Sequence, residues 1–340
     1  MSASFRRFLI TRILLTIPMV LILITMVFVI MRILPGDPIR SQLGPKVSEE
    51  QANAIRERLG LNRPLIVQYV DFVADMVTFN FGNALTQGER PIRDELAERL
   101  PATMELAIPA MLFTAVFGIL GGAVAAKYRK RFVDYALRLF SIAVYSMPVF
   151  FMGLLFQILF GVRIPLFPIA GRMDSLLLTT FQSPTNFYVL DAILTRNWPA
   201  LQSAILHLIM PAFTLGLVLC GPYIRLTRVN MIEMLQADFI TAGRARGLPE
   251  NRLIFKHALR NTFIPIMTLI GLEFAILLAG AVLTESTFSW PGMGRYLVER
   301  ITLRDYTAVQ SVIGVFAMFV AAIMLIMDIL YAFIDPRIRY

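Results

Sequence analysis

Six stretches of this chain run without charge, or nearly so, for the length needed to cross a bilayer. Arg12 and Arg32 enclose about 19 uncharged residues, Glu105 and Lys127 about 21, Arg138 and Arg163 about 24, and Asp305 and Asp328 about 22. Arg196 to Arg225 is interrupted only by His207, and Arg260 to Glu285 only by Glu273. A hydrocarbon core of about 30 Å takes roughly 20 helical residues. The expectation is an all-α membrane protein with six spanning helices, near 8–31, 103–126, 136–161, 200–224, 262–283 and 308–333. Composition agrees. The 340 residues are 57% hydrophobic and 16% charged, against roughly 25% charged in a soluble domain.

The formal charge of +9 is a topology signal and not a nucleic-acid face. With the N-terminus inside, the cations gather at the inner ends of the spans. Arg6, Arg7 and Arg12 come first, then Lys127, Arg129, Lys130, Arg131 and Arg138. Arg225, Arg228, Arg244, Arg246, Arg252, Lys256 and Arg260 follow, with Arg337 and Arg339 last. Only Asp134, Glu233, Asp238, Glu250 and Asp335 oppose them on that side, whereas the outer segments are near neutral. This positive-inside bias places both termini of a multi-pass membrane protein in the cytoplasm. The first apolar run exceeds the usual 7–15-residue signal core and no small-x-small site follows, so an uncleaved anchor is expected.

Organisation follows from the spans. Residues 1–31 form the N-terminus and first helix, 32–101 an external loop, and 102–340 a five-helix core with a cytoplasmic loop at 225–265. The external loop is too long for a connector. Ser48-Glu49-Glu50-Gln51 reads as a capping box for a helix that stops at Gly60. Pro64 suits the first turn of a second helix, with Leu65, Tyr69, Phe72, Val73 and Met76 at helical spacing. Residues 91–100 make a third. Two readings of this elaboration stand: a lid sealing the bundle, or a surface that meets a soluble binding protein. Gly118-x-x-x-Gly122 allows close helix approach.

Residues 238–265 are the most informative loop. A first helix runs from Asp238, which can cap it, to Ala245. Gly247 permits a left-handed turn, and Pro249 opens a second helix whose Leu253, Ile254, His257 and Ala258 share a face. An ordinary positive-inside loop explains the arginines but not the helix–glycine–helix design.

Separated motifs carry a resemblance along the whole chain. They are Leu34-Pro35-Gly36-Asp37-Pro38, Arg58-Leu59-Gly60-Leu61-Asn62-Arg63-Pro64, Gln68-Tyr69, Arg99-Leu100-Pro101-Ala102-Thr103 and Tyr145-Ser146-Met147-Pro148. Downstream come Val218 to Arg228, the 238–265 segment, Glu285, Phe288, Trp290-Pro291-Gly292-Met293-Gly294, Arg304-Asp305-Tyr306 and Asp335-Pro336-Arg337-Ile338-Arg339. The chain resembles the first permease subunit of dipeptide/oligopeptide ABC importers, with the fold of a type I ABC importer permease. Phe79-Asn80-Phe81-Gly82-Asn83-Ala84 departs from that family's Gly-Asp-Phe-Gly-x-Ser. Gly243 stands where an alanine is usual, and Thr307 where proline often follows Asp305-Tyr306.

The resemblance implies a second homologous permease, two ATPase subunits, an external substrate-binding protein and surrounding lipid as partners. It implies peptide cargo, with nickel, glutathione and oligosaccharides carried by related systems. Asp238, Ala242, Gly243, Ala245, Gly247, Leu248, Ile254, His257 and Arg260 would couple the chain to its ATPases. Pro291, Gly292 and Gly294 would form an external structural turn in which Trp290 suits the membrane interface. Glu273, an acid near mid-membrane, either lines the translocation path or bonds a neighbouring helix.

The absences matter as well. There is no Gly-x-x-x-x-Gly-Lys-Ser/Thr loop, so ATP and Mg are expected on partner chains and this chain is expected to bind no cofactor. No Ser/His/Asp or His-Glu-x-x-His pattern suggests an enzyme. Cys220, His207 and His257 are too scattered for a metal site, and one cysteine forms no internal disulfide. The rival reading is a self-sufficient secondary transporter with Glu273 as its proton or ion site.

Overall fold

The computed structural model describes residues 3–33, 48–58, 60–84 and 90–334. Leu34–Pro38, Leu59 and Asp335–Arg339 of the motifs above therefore lie outside the described residues, as do Arg337 and Arg339 of the inner cations. The described residues are mostly helical, with irregular loops at 164–174 and 181–187 and one antiparallel bridge between Asn83 and Pro91.

The helices are α1 (Ala3–Ile33), α2 (Glu49–Arg58), α3 (Leu65–Thr78), α4 (Ile92–Lys127), α5 (Phe132–Ser146), α6 (Val149–Phe156), α7 (Ser175–Leu178) and α8 (Tyr188–Leu194). They continue with α9 (Trp198–Met234), α10 (Asp238–Ala245), α11 (Glu250–Arg252), α12 (Leu259–Thr287), α13 (Met293–Thr302) and α14 (Tyr306–Ile334). Gln157–Arg163 extends α6 as a π-helix, and Leu253–Ala258 joins α11 to α12 in the same way.

Among the described residues four helices are long and apolar enough to cross a membrane, within α1, α4, α9 and α14. The third expected span is broken. Met147 adopts an extended conformation before Pro148, as a residue preceding proline tends to do, and the two halves meet at 101°. With that pair taken as one span the total is five, and α12 occupies the remaining apolar run. The expected third external helix is not separate, because residues 92–127 form one continuous helix through Pro101.

The described residues form two compact units: those within 3–101 with 292–325, and those within 102–291 with 326–334. In the first, Ile24, Val27 and Phe28 of α1 are buried with Phe72 and Met76 of α3, Met293 and Tyr296 of α13, and Val312 of α14. Ser48 accepts from the Gln51 amide at 3.2 Å, and Gly60 holds φ +67° beyond α2. Both agree with the sequence reading. Pro64, by contrast, precedes the first turn of α3 instead of forming it. Leu65 is exposed, and Gln68 takes its place on the buried face of α3.

In the second unit, glycines let α4 and α9 approach until their backbones nearly touch. A methyl at Gly122 would lie 2.7 Å from the Ile224 carbonyl oxygen, and one at Gly216 would lie 2.6 Å from that of Ala110. Thr114 Oγ1 donates to Gly216 O across this seam at 2.9 Å. The Gly118/Gly122 pair thus does the packing its spacing suggests.

Candidate functional site: the basic hairpin and the membrane carboxylate

The hairpin forms as its residues dictate. α10 ends in a turn that Gly247 closes at φ +75°, with Leu248 N donating to Gly243 O at 3.1 Å. Pro249 stands at the cap position of α11. One detail differs: Ala237, not Asp238, occupies the N-cap of α10. Asp238 is the first helical residue and makes no side-chain cap. Its charge still lies at the positive end of the helix, where a carboxylate is favoured.

The hairpin's underside is apolar. Ile240, Leu253, Ile254 and Ala258 are buried with Ala123 and Ala126 of α4 and Met231 of α9, and Leu248 packs against them. Gly243 is buried because Leu253 Cδ2 would lie 2.6 Å from any Cβ there. His257 is half-buried, beside Ala258 on this side. Ala242, Ala245, Arg246 and Arg260 are exposed, so the family positions divide into a packed set and a presented set.

Arg244 bonds Glu250 across the turn through Nε (3.1 Å) and Nη2 (2.6 Å). The Arg244 hydrogen bond holds the Glu250 carboxyl below its usual range, and the same bond raises Arg244. Lys127 Nζ reaches Asn251 Oδ1 at 2.8 Å, tying the end of α4 to the hairpin. Arg228 grips Asp134 through Nε (2.5 Å) and Nη2 (2.8 Å), and Lys130 N also donates to Asp134 at 2.9 Å. The Arg244–Glu250 pair braces the turn, and the exposed Arg246 and Arg260 leave a basic edge.

Glu273 lies midway along α12, half-buried. Among the described residues none hydrogen-bonds it, and Tyr223 lies within its electrostatic reach. One turn before it, Leu269 lines a groove of about 550 Å³ with Ser141, Tyr145 and Ser146 of α5, and Pro222 and Arg225 of α9. The structural alternative for Glu273, a bond to a neighbouring helix, therefore has no partner among the described residues.

The aromatic turn is not a membrane-interface feature. Trp290 is 1% exposed, and its Nε1 donates to Ala102 O at 2.8 Å. Gly292 caps α13, and Gly294 is buried in its first turn. Glu285, fully buried, accepts from Thr103 Oγ1 at 2.6 Å. His207 Nδ1 lies 2.8 Å from Ser203 O, a structural role as expected of a lone histidine. Among the described residues no cluster of three metal-ligating side chains occurs.

Sequence reasoning missed one centre. Glu105 and Arg172 form an ion pair, both almost fully buried. Arg172 donates to Glu105 Oε2 from Nε at 2.8 Å and from Nη2 at 2.5 Å, and Nη2 also donates to Asn186 O at 2.6 Å. Val189 N donates to Glu105 Oε1 at 2.7 Å, and the guanidinium lies 3.8 Å above the Tyr188 ring. The only signal was an acid opening an apolar run, and its partner lies 67 residues on.

Two family models match, with residues 118–340 fitting "Binding-protein-dependent transport system inner membrane component" and residues 5–107 fitting that family's N-terminal component. The chain belongs to this family of inner-membrane transport components, and it is a multi-pass membrane protein. It is 41% identical over 314 residues to the di/tripeptide transport system permease protein DppB of Pseudomonas aeruginosa, covering 92% of this chain and 93% of that one. It is 39% identical to the probable D,D-dipeptide transport system permease protein DdpB of Escherichia coli, covering 92% and 91%. It is 33% identical to the glutathione transport system permease protein GsiC of Escherichia coli, covering 98% and 99%.

Proposed function

We propose that this chain is the permease subunit of an ATP-driven, binding-protein-dependent importer of di- and oligopeptides. It forms half of the translocation pathway beside a second, similar permease. Its residues 238–265 couple it to two ATPase subunits that bind and hydrolyse ATP with Mg, and both its termini are cytoplasmic. The observation that carries this reading is the hairpin. Its apolar underside is packed on α4 and α9, and its turn is closed at Gly247, while Ala242, Arg244, Ala245 and Arg246 face outward. A rigid, basic, outward edge suits an acidic groove on a soluble partner. A self-sufficient secondary transporter has no use for such an edge.

Relatives named for dipeptides, di/tripeptides and glutathione support small-peptide cargo. Glu273 and the adjoining groove suit the path, since an acid without a partner in a membrane helix belongs beside water or cargo. The test is reconstitution. ATP-dependent peptide uptake should need the second permease, the ATPases and the binding protein. A cysteine at Arg246 should cross-link to an ATPase subunit, which the buried Cys220 leaves readable. Ion-driven uptake by this chain alone would overturn the proposal.

A further inference from the structure

The first unit holds a cavity with an unmet charge. About 290 Å³ lies open among α1, the end of α2, α3 and the start of α14, with Arg32, Arg58, Gln68, Asp71, Asp75 and Tyr306 on its wall. That is at or below the lower end of the roughly 300–1,000 Å³ typical of small-molecule pockets, which suits one long side chain better than a whole ligand. Neither cation on the wall is free: Arg58 has a partner of its own, and Arg32 is already engaged. Its Nε donates to Gln68 Oε1 at 2.9 Å and Nη1 to Gln310 Oε1 at 3.3 Å, while Phe28 and Tyr306 cover its faces.

Asp71 is paired with Arg63 at 3.2 Å. Asp75, one turn on, is half-buried, and among the described residues its carboxylate has neither hydrogen bond nor ion pair; its backbone carbonyl accepts from Phe79 N and from Asn80 N, the latter at 3.0 Å. Burial, then the charge of Asp71, raises the Asp75 carboxyl above its usual value, as expected where a negative charge lacks its counterpart. Beside the same cavity, the buried Tyr306 hydroxyl has no hydrogen-bond partner among the described residues. The open carboxylate asks for a cationic donor.

We propose that this cavity receives a lysine or arginine side chain of the soluble substrate-binding protein, with Asp75 as its counter-ion. The proposal rests on the importer reading, which places α2 and α3 on the face where the binding protein arrives. A single buried charge pair fixes register, and α3 supplies it on the face that carries Gln68, Phe72 and Met76.

The test uses the full complex in nanodiscs, with ATPase rate read against binding-protein concentration. Asp75→Asn keeps shape and loses charge. It should raise the half-saturating concentration about tenfold, with the rate at saturation unchanged. Asp75→Lys should raise it further, and a lysine-to-glutamate change on the binding protein should restore docking to that variant. The unstimulated ATPase rate and gel filtration check assembly, and Asp75→Asn decides if Asp75→Lys fails to assemble. Unchanged half-saturation in Asp75→Asn removes the site. So does a changed preference for cationic peptides with docking intact, which would make Asp75 a cargo contact. Absence of stimulation in the unsubstituted complex would remove the importer reading, and this site with it.

Discussion

Leu253 occupies the space that a side chain on residue 243 would need: a Cβ at Gly243 would meet Leu253 Cδ2 at 2.6 Å. This one contact closes the two arms of the basic hairpin. Because the obstructing atom is the end of a flexible side chain, Gly243→Ala should be tolerated after a small shift of Leu253. Gly243→Val adds branched bulk and should separate the arms. The expected result is near-normal peptide uptake for alanine and a loss of at least tenfold for valine, with membrane levels equal. Leu253→Ala should partly restore the valine variant, as expected for coupled neighbours.

Gly247 tests the turn and not the packing, since nothing lies within 4 Å of a Cβ placed there and its φ is +75°. A left-handed conformation costs an ordinary residue about 1–2 kcal/mol, and asparagine less. Uptake should therefore fall in the order glycine, asparagine, alanine, valine, with proline worst because its φ is locked near −65°. ATPase co-purification should survive in the alanine variant while coupling of hydrolysis to uptake declines. Normal uptake by Gly247→Pro would mean that the hairpin does not transmit motion.

Glu105 and Arg172 are buried together, so removing one leaves the other uncompensated. Arg172→Met should lower stability by about 3–5 kcal/mol, the usual cost of breaking a buried pair. The double change Glu105→Gln with Arg172→Met should cost less than Arg172→Met alone. Thermal unfolding in detergent reads both. Equal losses would show that the pair matters through something other than charge.

The Arg244–Glu250 bond gives the hairpin a pH response. Glu250 is depressed in the folded chain, chiefly by its bond to Arg244. Its contribution is therefore present above the ordinary carboxylate value and is lost as pH falls through the lowered folded value. Both side chains are about half exposed, so the effect is small, within the ~0–1 kcal/mol of surface pairs. Amide exchange at 244–252 should quicken modestly in acid beyond its intrinsic rate, and Glu250→Gln should abolish the difference.

Glu273→Gln keeps size and hydrogen bonding while removing charge. If Glu273 lines the path, the variant should stay folded and change its preference among acidic, neutral and cationic peptides. Glu273→Leu should then leave stability nearly unaffected, because no described side chain depends on the carboxylate. Uptake by Glu273→Gln equal to the parent across all three peptide classes would end the pathway reading.

The sequence by itself determined the all-helical membrane class, the hairpin and the helical segment after the first span. Those features are written in local terms: runs without charge, Gly247 and Pro249 at a turn, Ser48 three residues before Gln51. Hydration cost and backbone preference act over a few residues, so they can be read in order along the chain. Tertiary structure decided what depends on distant neighbours. The third span bends by 101° at Met147–Pro148, although its apolar run is unbroken in composition. Trp290 reads as an interfacial residue, yet it is buried with its indole on Ala102. Arg172 finds Glu105 across 67 residues, and Asp75 is left without a partner among the described residues, in a cavity whose walls come from four helices. Burial and pairing are properties of the packed chain, and no window of sequence contains both members of such a contact.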